Sequence, residues 1–119
     1  MRALGIAAWA ALALAAAGPS AAHTAVKSVS IAEGARLKAA PPSVTITMGR
    51  PVGVGGVTLT NSGGRDVPLA YKPSRAMAAA FSVPLPRLTP DTYRLNWRVI
   101  AEDGHVMTGG VAFTVTGAR

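Results

Sequence analysis

Thr92-Tyr93-Arg94-Leu95-Asn96-Trp97-Arg98-Val99 is the stretch whose reading decides the fold. Tyr93, Leu95, Trp97 and Val99 fall on one parity, and Arg94, Asn96 and Arg98 fall on the other. Side chains of an extended chain alternate between faces, so this is a strand with one face in a core and one in water. Val111, Phe113 and Val115 repeat the pattern in a predicted Thr108-to-Thr116 strand. Between the two runs lies Glu102-Asp103-Gly104-His105, a polar turn centred on glycine. The strong alternation on both sides makes the pair a hairpin.

Working outward, most other segments read the same way. Ala25 to Ile31 has mixed alternation and is a first strand; Val44-Thr45-Ile46-Thr47-Met48 alternates cleanly with β-branched residues. Gly49-Arg50-Pro51 is expected to interrupt that strand, with Gly53 to Gly56 loose and Val57 to Thr60 a separate strand. Asn61-Ser62-Gly63-Gly64 reads as a hairpin turn leading to Val67-Pro68-Leu69-Ala70. The Arg36-to-Ser43 stretch, with Pro41-Pro42, reads as a loop. Met77 to Val83 is read as strand on Phe81-Ser82-Val83, although its alanines favour helix, and Pro84, Pro86 and Pro90 stiffen the connection that follows. About seven short strands with regular turns predict an all-β, Greek-key sandwich or barrel of immunoglobulin-like or cupredoxin-like type.

The first residues read as an address. Met1-Arg2 is a positive start, Ala3 to Ala17 is apolar, Gly18-Pro19 breaks the helix, and Ser20-Ala21-Ala22 supplies small residues for a peptidase. This order is that of a cleavable signal peptide over residues 1–22, with one domain over residues 23–119. The apolar run is shorter than the roughly 20 residues a spanning helix needs. Cleavage after Ala22 makes His23 the mature N-terminus, where a free amine and an imidazole sit on one residue and can chelate one metal ion.

Composition removes several chemistries. The 119-residue chain has no cysteine, which excludes disulfides, thiolate metal sites and cysteine nucleophiles. Its formal charge of +7, one unit of which is Arg2, comes from cations scattered singly along the sequence with few aromatics between them. That pattern reads as a soluble basic surface, and no nucleic-acid partner is expected. Acids other than Asp103 (Glu33, Asp66, Asp91 and Glu102) show no pairing suited to acid–base catalysis, and no nucleophile or phosphate-loop motif occurs.

Asp103 and His105 stand out because the chain has only two histidines and the other is His23. An Asp-x-His pair alone is most often a hydrogen-bonded surface pair. Combined with an N-terminal histidine it offers two imidazoles, an amine and a carboxylate, a set that favours tetragonal Cu(II) over tetrahedral zinc.

These residues carry a resemblance. Leu88-Thr89-Pro90-Asp91-Thr92-Tyr93, Trp97-Arg98-Val99, Asp103-Gly104-His105, Gly109 and Phe113-Thr114-Val115 resemble the C-terminal half of the CopC family of periplasmic copper-binding proteins. His23, Ser28-Val29-Ser30, Glu33-Gly34-Ala35, Pro42, Val44 and Arg50-Pro51-Val52 resemble its first half. The resemblance implies a Greek-key β-sandwich in the periplasm, one Cu(II) per chain held by His23, Asp103 and His105, and no turnover. It also implies a role in copper resistance, buffering or delivery, as a monomer, with an inner-membrane copper transporter of the CopD type as candidate partner. Trp97 is implied to sit near the metal and to stiffen the Asp103 turn. A small oxidative copper enzyme built on the histidine brace, or a metal-free immunoglobulin-like module, are the alternatives. Departures are also visible. Met48-Gly49-Arg50 stands where the family usually has an aromatic-Ser-Glu, so a cation replaces an acid, and Met48, Met77 and Met107 are isolated, which argues for core packing over a thioether Cu(I) site.

Overall fold

The structure, a computed structural model, describes residues 25–117. The predicted leader and His23 lie outside the described residues. All seven elements are strands: β1 Val26–Val29, β2 Ala35–Leu37, β3 Ser43–Thr60, β4 Asp66–Val67, β5 Ala78–Pro84, β6 Asp91–Ala101 and β7 Val106–Val115. The hairpin at the centre of the sequence forms as expected, β6 and β7 pairing antiparallel from Asp91↔Val115 to Ile100↔Val106. Tyr93, Leu95, Trp97 and Val99 are all buried, as are Val111, Phe113 and Val115. The tyrosine hydroxyl donates to the Thr89 carbonyl at 2.7 Å, which pins the proline-rich connection to the start of β6.

The two strands expected around Gly49-Arg50-Pro51 are one. β3 runs unbroken for 18 residues. Pro51 has no N–H to give to a ladder, so pairing with β5 jumps from Thr47↔Ala80 to Val52↔Ala78, but proline's fixed φ keeps the backbone extended. The first half of β3 pairs with β1 and β5, and its second half pairs with β6 and β4. Gly53 to Gly56 is therefore paired strand. The register with β6 steps from Val54↔Val99 to Gly56↔Arg98, which leaves Gly55 as a one-residue bulge. An extra residue reverses inward parity: Val44, Ile46, Met48, Val52 and Val54 are buried before it, and Leu59 after it. One strand thus faces a single core on both sides of the bulge.

Two smaller differences have similar causes. Part of the expected Arg36-to-Ser43 loop is β2, which pairs parallel with the far edge of β7, Ala35↔Phe113 to Leu37↔Val115. Such a short strand exists because β7 offers it a partner, which no local pattern announces. The segment after the Asn61 turn holds only Asp66–Val67 in the ladder, because Pro68 cannot donate. The turn itself forms through the Asn61 side chain, whose Oδ1 accepts the N–H groups of Gly63 and Arg65, each at 3.0 Å.

Trp97 is paired with Gly109, and its ring occupies the space a side chain there would fill. A Cβ on Gly109 would come within 2.6 Å of the indole Nε1. Gly56, two strands away, has open space at the same position. Gly109→Ala is expected to cost about 1–3 kcal/mol in urea unfolding through overpacking. Gly56→Ala is expected to stay within about 0.5 kcal/mol of the parent.

Candidate metal centre

The β6–β7 connection is a four-residue loop, Glu102-Asp103-Gly104-His105, closed by two backbone hydrogen bonds. Gly104 N–H donates to the Ala101 carbonyl at 2.9 Å, and Ala101 N–H donates to the His105 carbonyl at 2.8 Å. Gly104 has φ of +90°, a left-handed conformation that L side chains resist, so glycine is required where the loop turns back into β7. This places Asp103 and His105 on the same side of the turn, as expected of residues two apart around a glycine.

Both carboxylate oxygens of Asp103 are engaged by residue 105. Oδ1 accepts its backbone N–H at 3.0 Å, and Oδ2 lies 2.8 Å from the ring Nδ1. An ionised carboxylate only accepts, so Nδ1 carries the proton and Nε2 presents its lone pair outward. Histidines that ligate metals are commonly oriented this way by a carboxylate on the opposite ring nitrogen. The Asp103 carboxyl is held below the ordinary carboxylate range, first by the His105 backbone N–H and then by the His105 ring. This acid–imidazole contact is open to water, the side chains being 79% (His105) and 65% (Asp103) exposed.

The turn forms one wall of an open cleft of about 770 Å³. Ala25, Met48, Arg50 and Met107 line it together with Asp103 and His105. Ala25 is the first described residue, so the start of the domain and the β6–β7 turn meet at one place, although 78 positions separate Ala25 from Asp103 in sequence. The meeting follows from topology: β1 enters beside Met48 of β3, and β3 passes next to the end of β6 at Val52↔Ala101. Among the described residues, no three His, Cys, Asp or Glu side chains converge, so Asp103 and His105 are a partial donor set.

Sequence reasoning flagged Arg50 but could not locate it. It lines the cleft, exposed, and makes no ion pair with Asp103. The convergence of Met48 and Met107 was missed. Both do pack in or against the core as expected and also line the cleft wall, whereas Met77, expected to pack likewise, is exposed. Nothing in their spacing reveals this, because it depends on which strand ends adjoin. Trp97 does not line the cleft; its place is lower in the hairpin, over Gly109.

A family model described as the CopC domain matches residues 26–116. Among solved structures, CopC from Methylosinus trichosporium OB3b is similar with a TM-score of 0.67 and 22% identity, over 82% of this chain and 97% of that one. PcoC, a methionine-rich copper resistance protein from Escherichia coli, is similar with a TM-score of 0.61 and 26% identity, over 77% of this chain and 97% of that one. No curated protein matches the chain.

Titration of the Asp103 carboxyl, followed by carbon NMR, tests the turn. Its midpoint is expected below that of an ordinary aspartate. His105→Ala should raise it only part of the way, because the larger contribution, the backbone N–H of residue 105, survives the substitution. A depressed folded value means the interaction supports the turn above the ordinary carboxylate range and is lost as pH falls through that depressed value.

Proposed function

The chain belongs to the CopC family, and on that premise we propose that it is an exported copper-binding protein that holds one Cu(II) at the cleft between its first residues and the β6–β7 turn. The observation that carries this reading is that Ala25 lines the same cleft as Asp103 and His105. Removal of residues 1–22 would leave His23 two residues before Ala25, a reach of about 7 Å of extended chain. The His23 amine and imidazole would then join the His105 Nε2. Asp103 would orient His105 and could share an oxygen lone pair with the metal. This nitrogen-rich set with a carboxylate fits Cu(II), which heads the affinity order of divalent first-row metals.

Copper is cargo in this reading. The exposure of His105 and Asp103 suits an ion that must be received and passed on, whereas an oxidative catalyst would need a site that excludes water around a bound substrate. Arg50 supports the same view. A cation at a residue lining the cleft opposes a divalent ion and keeps affinity below what an acid at that position would give. The cleft is therefore tuned toward release, for buffering or delivery in the periplasm.

Three measurements on protein purified after export test this. Copper titration should give one Cu(II) per chain, with a nitrogen-rich tetragonal electron paramagnetic resonance spectrum that is lost in His105→Ala and when residues are added before His23. If the unaltered protein binds no more Cu(II) than His105→Ala does, the site assignment is wrong. Affinity should fall as pH is lowered, because the amine and both imidazoles must lose protons to bind. Arg50→Glu should tighten Cu(II) binding by about tenfold or more, by exchanging a repulsive charge for an attractive one.

A further inference from the structure

The outward parity of β6 and β7 collects residues that the sequence scatters. The register aligns Gly56, Arg98 and Thr108 in one row across β3, β6 and β7, Thr58, Asn96 and Gly110 in the next, and Thr60, Arg94 and Ala112 in a third. Arg94 and Arg98 thus stand on a floor of glycine, alanine and threonine. Arg94 is held against it. Arg94 Nε donates to Asn96 Oδ1 at 3.1 Å, and its Nη2 lies where a Gly110 side chain would be, 3.0 Å from the would-be Cβ. The Arg98 stem lies against Gly55, with Cγ 3.7 Å from the corresponding point.

Neither guanidinium has an acidic partner among the described residues. The acids nearest in register sit on the rims: Asp66 lies opposite Thr60, and Glu33 is occupied accepting the Ala112 N–H at 3.1 Å. The face ends at Ile100↔Val106, where Val106 is 53% exposed directly after His105. A cationic surface with a small-residue floor, bordered by Val26, Val29, Tyr71 and Pro73, therefore runs up to an exposed apolar residue beside the β6–β7 turn.

We propose that this outer face of β6 and β7 is a docking surface for an acidic segment of a protein partner, with Arg94 and Arg98 taking its carboxylates and Val106 its terminal apolar contact. The inference rests on the copper reading for its purpose, since a partner so docked lies beside His105 and can exchange the ion. Charge complementarity selects the occupant. Guanidiniums match carboxylates in paired hydrogen bonds, whereas a lipid surface is served as well by mobile lysines. None of the lysines of the described domain is on β6 or β7: Lys27 lies on β1, and Lys38 and Lys72 lie in connections.

The test uses a fluorescein-labelled peptide of alternating glutamate and serine ending in leucine, with binding read by anisotropy at low ionic strength. Arg94→Glu/Arg98→Glu should weaken binding about tenfold or more, and the milder Arg94→Gln/Arg98→Gln should weaken it less. Arg65→Glu/Arg87→Glu, which changes net charge equally outside the face, should leave binding within about twofold. Amide shifts on titration should concentrate at Arg94, Asn96, Arg98, Val106 and Gly110. Equal losses in the two charge-reversed pairs, or shifts spread over the molecule, overturn the proposal. So does binding to phosphatidylglycerol vesicles that the peptide cannot displace. Circular dichroism of each variant confirms that these exposed positions leave the fold intact. His105→Ala should bind the peptide normally while losing copper. A failure of copper binding and a failure of docking are therefore separately visible.

Discussion

The bulge at Gly55 is the constraint on which the rest of the molecule depends. β3 must turn its side chains to the core at even positions before the bulge and at odd positions after it, and only an inserted residue can change parity within a strand. Without it, Leu59 would face water while Val44 and Ile46 faced the core. The same strand carries the irregular stretch at Gly49-Arg50-Pro51, after which it has left β1 and joins β6. These two irregularities let a chain of modest length close one core without a disulfide.

The metal cleft is a by-product of that path. Because β1 enters next to Met48 and β3 then runs alongside β6, the start of the domain arrives at the β6–β7 turn. The turn is rigid for local reasons: a left-handed glycine, two backbone hydrogen bonds, and a carboxylate that accepts both the backbone and ring N–H of residue 105. The Asp103–His105 half of the proposed site is thus fixed by local contacts, and on the proposed reading the other half would come from the far end of the chain. On the proposed copper reading, Arg50 in the same cleft would set a repulsive charge against the ion.

Much of this was legible in the sequence where the determining pattern is local. Alternation over Tyr93 to Val99 and Val111 to Val115 gave both strands of the hairpin and their buried faces. Asp103-Gly104-His105 announced a turn able to bring an acid and an imidazole together, and the structure brings them to 2.8 Å. The Asn61 turn was equally clear, since asparagine closes it with its own side chain. Reading Gly49-Arg50-Pro51 as a break failed because glycine and proline weaken pairing without forcing the backbone to turn.

What the sequence by itself determined is therefore the all-β class, the central hairpin, and the chemical types of the candidate donors His23, Asp103 and His105. Those properties depend on side-chain alternation and on residues a few positions apart. Only the tertiary structure decided that β3 is continuous, that β2 pairs parallel with β7, and that Ala25, Arg50, Met48 and Met107 share a cleft with the turn. It also decided that Arg94 and Arg98 lie on one unpaired face leading to Val106. The physical reason is that strand partners and cleft walls are chosen by packing between distant segments, and alternation within a segment says which face is apolar but not what that face or edge will meet.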